Sequence, residues 1–563
     1  MSSEFIHYSG YGPRPENYIA KPEDQTMYEF MLECSDKIIR DHGDYTAFVN
    51  VKSATSVKKV RSDVEKVAAF LAHEGFGEGD VITVFLPTGA HAFPVLYALN
   101  KLGIIANIVH PLTPAAELRQ MLADTNSKGM FILDRLCKGK EDIISSMFTV
   151  VCSTSDYVRM PLKLLVKADD KKNSVPVSGE RVHYFADVMK SSFPAVDTVH
   201  FPARDNAVYL HGGGTTGKSK TVMLSNYALN SLAYGLYLLD RPHDYGNSYT
   251  LAVLPIFHAF GLGGCLHYAM CNGYSALLMS KFDAREANEL IKKYNVVEAL
   301  GVPLMFKKMF AEDNFENKGL KNVLFWDSGG DFVSEEFVEE FDSVLAKNGS
   351  RAMFSRGWGL TELCAVCTCN NYSYYRKNSC GHALEGLELA VFDENGKKLP
   401  AGEVGEIGGR GATMMNGYLP DGTVEGDGFF IDENGEKWVL TGDMGYLDED
   451  GYLFLSGRKK RIIIIAGYNV YPATVEGKIE GLDFIREVCC AQAYDGDKPF
   501  MRMYVSLKEG ADRKECLDKL EKIVETELEQ HSRPKEIEIL DALPRTKMEK
   551  IDFLALTEEP GRK

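Results

Sequence analysis

Between residues 57 and 135 the hydrophobic period switches back and forth between helix and strand. "SVKKVRSDVEKVAAFLAHEG" carries apolar residues at helical spacing and ends on Gly75, "DVITVFLP" is a short apolar run stopped by Pro87, and "HAFPVLYALNKLG" is helical again. Strands separated by helices predict a parallel sheet. The same rhythm returns from "YTLAVLP" through "AREANELIKKYNVVEALGVP" to "NVLFWDSGG", so two α/β layers are expected in the first two-thirds of the chain. From about Asn378 glycine turns separate short strands, which predicts antiparallel structure; the last hundred or so residues mix strands with one charged helix over 513–530. At 563 residues the chain exceeds what one core usually serves.

Composition excludes several classes. A net charge of −17 argues against nucleic acid as a partner, and "GRKKR", one basic cluster followed by four isoleucines, fits a strand better than a phosphate-binding patch. "MSSEFIHYSGYGPRPENYIAK" lacks the basic and apolar regions of a secretory signal, so a cytoplasmic location is expected. The twelve cysteines lack the dense spacing of a disulfide scaffold. Residues 245–280 contain no charged side chain, yet Pro255, His258, His267 and Asn272 interrupt them, so a buried strand, helix and strand is expected rather than a membrane span. Contact with a membrane surface stays open.

"VYLHGGGTTGKSKTV" matches the Walker pattern through Gly212, Gly217, Lys218 and Ser219. A Walker loop runs straight into a helix whose N-terminus holds the phosphates. Here Thr221, Val222, Met223 and Leu224 favour strand, and a good helix N-cap, Ser225 or Asn226, comes only afterwards. A loop between two strands is therefore expected, against a P-loop NTPase.

The loop resembles the signature of adenylate-forming enzymes, the superfamily of acyl-CoA synthetases, peptide-synthetase adenylation domains and luciferases. In that register Lys220 is the family lysine, and Ser219-Lys220-Thr221 stands where Pro-Lys-Gly is usual. "GWGLTE", Gly357 to Glu362, resembles the family's aromatic-Gly-x-Thr-Glu segment; "LTGDMGYLDEDGYLFLSGRKKR", "IIIIAGYNVYPATVE" and "LPRTKMEKID" follow in the family's order. The last has Glu549 where glycine is usual, with its lysine, Lys550, in place.

The resemblance implies an α/β fold: a large N-terminal AMP-binding domain (1–457) of two α/β subdomains and an antiparallel β subdomain, then a small mobile α+β domain (458–563) hinged near Lys460. It implies ATP, Mg²⁺ and CoA. Gly214, Thr215, Thr216, Gly217 and Lys220 would hold phosphates, Trp358 would lie against the adenine, with Gly359 also among the cofactor-binding residues, and Asp443 and Arg458 would bind the ribose. Thr361 would contact phosphate, Thr216 and Glu362 would hold the metal, Lys550 would bridge carboxylate and α-phosphate, and Gly467 would line the thiol path. The chemistry asks for such residues, because attack of a carboxylate on a triphosphate builds negative charge that cations and fixed N–H dipoles must meet.

His258, in "LPIFHAFGLGG", resembles the family segment bordering the carboxylate pocket, with Gly263, Gly329 and Gly330 as further wall. Small residues at 261–264 leave volume for a chain, which favours an aliphatic acid. The expected reaction is ATP-dependent activation of a carboxylic acid, a fatty acid first, to acyl-AMP and transfer to CoA. A carrier-protein phosphopantetheine as acceptor, or release of the adenylate, is the alternative. Cys364, Cys367 and Cys369, with Cys380 and His382, could form a metal site; small apolar fillers are expected instead.

Overall fold

The computed structural model describes residues 19–212, 220–239, 244–331, 333–370, 375–420, 428–465, 468–495, 498–528, 530–545 and 551–558. Two large sheets dominate. One has eight strands in the order Gly417–Tyr418, Lys220–Ser225, Asn206–Gly212, Ile105–Ile108, Val81–Phe85, Gly129–Leu133, Phe148–Cys152 and Val182–Tyr184. From Asn206–Gly212 onward its pairs are parallel, and the two strands before it are antiparallel. The run 57–135 thus folds as its periods indicate, with helices Val57–His73 and Ala92–Lys101 between strands.

The second sheet has nine strands, with a parallel centre formed by Ser275–Leu278, Tyr249–Ala252, Val296–Gly301, Phe325–Ser328 and Met353–Trp358. Strand Val81–Phe85 is fully buried along its length, as expected of a central parallel strand whose two faces are covered by helices. The largest apolar cluster joins residues of both sheets, from Phe48 and Tyr97 to Leu254 and Ala276.

A third, antiparallel sheet follows, built from Leu387–Phe392, Gly405–Gly411, Lys437–Leu447, Phe430–Ile431 and Leu453–Arg458. The last hundred residues form a three-stranded sheet, Ile485–Asp495, Lys498–Leu507 and Glu536–Ile539, packed with helices Pro472–Glu480 and Arg513–Glu527 over a separate core. The charged helix ends at Glu527, short of the expected 530, and Leu528, which is buried, is extended.

Residues 245–280 form strand Tyr249–Ala252, a π-helical stretch Gly261–Tyr268, helix Ala269–Asn272 and strand Ser275–Leu278. Its polar side chains turn inward to partners: the buried His267 ring bonds Tyr97 Oη at 3.1 Å and Asn230 Oδ1 at 3.0 Å. Burial holds that imidazole neutral, lowering its pKa to about 3. Among the described residues no helix is long and apolar enough to cross a membrane.

Candidate active site

Strand Asn206–Gly212 pairs antiparallel with Lys220–Ser225, in a register that sets Gly212 opposite Lys220. The helix begins only at Asn226, where the Ser225 side chain accepts the N–H of Ala228. Two paired strands flank residues 213–219 and the helix comes only after the second, an order that is wrong for a Walker loop. Gly214, Thr215, Thr216 and Gly217 lie outside the described residues, as do Gly467 and Lys550. Next to the Gly212–Lys220 pair the His211 Nε2 donates to Asn107 Oδ1 at 2.7 Å, and Thr221 Oγ1 meets Nδ1 at 3.1 Å. The Asn107 amide nitrogen donates to Thr83 and Thr125, which leaves its oxygen as the acceptor. Burial lowers the His211 pKa to about 4, so this side chain adds structure and no charge.

Lys220 opens its strand with its ammonium 4.6 Å from the centre of the Tyr418 ring. The Tyr418 hydroxyl donates to Glu362 Oε1 at 2.8 Å. Backbone bonds fix the same three segments: Leu419 N–H to Thr221 O, Asn416 N–H to Met223 O, and Met415 N–H to Glu362 O, each 2.8 Å. One tyrosine therefore contacts both the lysine, through its ring, and the carboxylate, through its hydroxyl. It was not foreseen, since its meaning comes from pairing residues 417–418 with 222–223, far apart in the chain.

Thr361 and Glu362 sit in the single turn Thr361–Leu363 at the end of strand Met353–Trp358. The turn is closed by two non-glycine residues with left-handed backbone, Cys364 at φ 58° and Ala365 at φ 83°. Such conformations are costly and cluster at functional segments. The chain folds back so closely that a Cβ on Gly359 would lie 1.4 Å from the Ala365 carbonyl oxygen. Only glycine fits there.

Trp358 ends the strand with its indole N–H donating to Asp443 Oδ2 at 2.8 Å. Across the antiparallel pair Asp443 faces Arg458, whose Nε lies 2.6 Å from the other oxygen, Oδ1. Burial raises the Asp443 pKa, opposed by Arg458 and by the indole bond, while Glu362 adds to the rise. A carboxylate has about four acceptor directions, so both oxygens can still accept from further hydroxyls.

Beyond Arg458, Lys459 Nζ reaches Glu406 Oε2 at 2.6 Å, and Arg461 bonds Glu476 at 3.1 Å and the Cys490 carbonyl at 3.2 Å. The two residues before Lys460 are tied to the preceding sheet, and the one after it to the last sheet.

His258 is half-buried beside Phe257, with ring centres 4.8 Å apart, and Phe257 contacts His110 at 4.3 Å. At Gly329 and Gly330 a Cβ would come into ordinary van der Waals contact, at 3.5 Å with the Gly357 carbonyl and the Phe260 ring and at 3.6 Å with Val302, and Gly330 has a left-handed backbone at φ 83°. Gly263 is a correction. It is buried, and a Cβ would stand 2.3 Å from Leu232, while one on Gly261 would meet the Pro255 carbonyl at 2.1 Å. Gly263 lets the π-helical stretch press on helix Asn226–Tyr237 and Gly261 lets it press on the backbone of Leu254 and Pro255, so at these two positions the volume that small residues suggested is filled.

The cysteines after Glu362 are buried. Cys367 faces the carbonyls of Leu363 and Ala365, and Cys369 contacts Ser355, so the thiols turn to separate partners. Burial pushes Cys364 and Cys380 up to about 12. Among the described residues no group of three His, Cys, Asp or Glu is placed to hold a metal ion.

A family model described as "AMP-binding enzyme" matches residues 36–419. A long-chain-fatty-acid–CoA ligase from Bacillus subtilis is 29% identical over 539 residues, covering 92% of each chain. A 4-coumarate–CoA ligase from Petroselinum crispum is 28% identical over 477 residues, covering 82% of this chain and 80% of its own. Among solved structures, a benzoate CoA ligase from Burkholderia xenovorans superposes with a TM-score of 0.76 at 19% identity, over 95% of this chain and 100% of its own. An o-succinylbenzoate CoA synthetase from Bacillus subtilis, bound to its acyl-adenylate, gives 0.73 at 19% identity, over 96% and 99%. The paired strands on either side of residues 213–219, the Trp358–Asp443–Arg458 array and the match over most of the chain agree: this protein belongs to the AMP-binding enzyme family, within the adenylate-forming superfamily.

Proposed function

We propose that this enzyme activates a carboxylic acid, a fatty acid first, with ATP to give acyl-AMP and pyrophosphate, and then passes the acyl group to CoA in the cytoplasm. The observation that carries the proposal is the Lys220–Tyr418–Glu362 arrangement close to the Trp358–Asp443–Arg458 array. Lys220 and the loop residues Gly214, Thr215, Thr216 and Gly217 hold the β- and γ-phosphates, and Thr361 contacts phosphate. Trp358 lies against the adenine, with Gly359 also among the cofactor-binding residues, and Asp443, with Arg458 beside it, accepts from the ribose hydroxyls.

The Tyr418 hydroxyl occupies one oxygen of Glu362 and leaves the other for a cation; carboxylate and hydroxyl oxygens of the Glu362 and Thr216 type suit Mg²⁺. When bound, that ion neutralises charge on the departing pyrophosphate. His258, Gly329 and Gly330 border the acid. A carboxylate oxygen bonds to the α-phosphorus as the bond to pyrophosphate breaks, with Lys550 bridging the two reacting groups. The thiol then bonds to the acyl carbon, loses its proton, and AMP departs.

Residues 458–563 swing about Lys460 between the two steps and bring Gly467 toward the thiol, a motion supported by the opposed tethers of Lys459 and Arg461. Lys550→Ala is expected to abolish adenylate formation while thioester formation from supplied acyl-AMP continues; equal loss of both half-reactions contradicts the role.

An aryl acid is the second reading, favoured by Phe260, whose ring lies within reach of Gly264 on one side and Gly329 on the other. For the metal side, Tyr418→Phe keeps the ring under Lys220 and removes only the bond to Glu362. Loss of a hydrogen bond to a charged group costs about 1.5–3 kcal/mol. Calorimetric titration is expected to show at least tenfold weaker binding of α,β-methylene-ATP with magnesium and unchanged binding of AMP. An equal loss for both ligands would point to general misfolding.

A further inference from the structure

We propose that helix Leu162–Asn173, with the turn before it, docks on an anionic lipid surface. Within a few residues the chain exposes Met160, Leu164 and Leu165, with 64%, 60% and 70% of their surfaces open to solvent. At helical spacing Leu164 and Ala168 share one outward face, with Lys167 and Lys171 on one flank and Leu165 and Lys172 on the other. Isolated exposed leucines are ordinary, but an apolar outer stripe edged by lysines has the form of an interfacial helix.

The segment's own acids are both paired with Arg135, Asp170 buried on the inner side and Asp169 exposed at the edge of that face, one turn from Leu165. The buried Asp170 takes Arg135 Nε at 2.9 Å, Ser153 Oγ at 2.7 Å and the Ser155 N–H at 3.0 Å, and Asp169 takes the same guanidinium at 2.6 Å. These bonds pin the inner side of the helix to the body. Arg159, Lys163, Lys167, Lys171 and Lys172 remain on the segment, a local excess of positive charge in a chain of net charge −17. An anionic bilayer would repel most of this protein, so the complementary charge and the apolar stripe coincide where contact costs least. The leucines and Met160 would enter the headgroup boundary while the lysines face the lipid phosphates.

The test is sedimentation of the full-length protein with vesicles of phosphatidylcholine alone or mixed with phosphatidylglycerol, at low and high salt. Wild type is expected to bind the mixed vesicles, to bind neutral ones weakly, and to be released by salt. Each lysine near such a surface contributes about fivefold, so Lys167→Glu, Lys171→Glu and Lys172→Glu together should weaken binding by at least about a hundredfold. Leu164→Ser with Leu165→Ser should abolish it, with thermal stability and turnover of a water-soluble acid unchanged. Equal binding to neutral vesicles, or wild-type binding by either variant, overturns the proposal. So does a wild-type dimer that the leucine variant dissociates, which would make the stripe a contact between copies of this chain.

Discussion

Gly359→Ala is expected to reduce acid-dependent ATP–pyrophosphate exchange by at least about a hundredfold, because misplacing reacting groups by an ångström costs that much. The added carbon cannot share space with the Ala365 carbonyl 1.4 Å away, so one side of the loop must move. That loop carries Thr361 and Glu362 and is already held in left-handed conformation at Cys364 and Ala365. It has little further conformational slack. Gly77→Ala, where a Cβ meets nothing within 4 Å, serves as the control and should behave as wild type. A Gly359→Ala enzyme with full exchange activity would mean that the turn does not position the reacting groups.

Asp443→Ala has the second largest expected effect. It removes the acceptor of the Trp358 indole and the partner of Arg458, and under the proposed function it also removes the acceptor for the ribose. Losing two bonds to a charged group costs about 3 kcal/mol, on the order of a hundredfold in AMP affinity. The indole left without an acceptor costs about 1–3 kcal/mol of stability, which thermal unfolding would register. Asp443→Asn keeps the shape and an acceptor oxygen, so it should recover most of the stability and little of the affinity. The raised pKa gives the pH dependence its sign. The ionised carboxylate is the better acceptor, so AMP affinity should fall on acidification, beginning at higher pH than for an ordinary aspartate. AMP binding measured by calorimetry across pH checks this, and a profile flat through the acid range counts against Asp443 as the group that responds.

Local chemistry was readable from the chain where neighbours in sequence decide it. Thr221 to Leu224 favour strand and Ser225 caps the following helix, so the loop before them connects strands, as observed. The alternation of periods over 57–135 likewise specified a parallel sheet. What stayed illegible depends on distant partners. Tyr418 acquires its place only through pairing with Val222. Gly263 looked like room for a chain because sequence shows the missing side chain and not Leu232, which fills the gap. Asp443 was legible as a type of residue, but not its indole bond to a tryptophan on another sheet.

The most direct measurement is ³¹P NMR of ATP incubated with the full-length enzyme and magnesium, with and without CoA, across straight-chain and aryl carboxylic acids. AMP and pyrophosphate in equal amounts, formed only when an acid is present and accompanied by an acyl-CoA thioester when CoA is added, are expected, with the straight-chain acids foremost. Release of ADP and phosphate, or nucleotide turnover indifferent to every acid, would contradict the assignment.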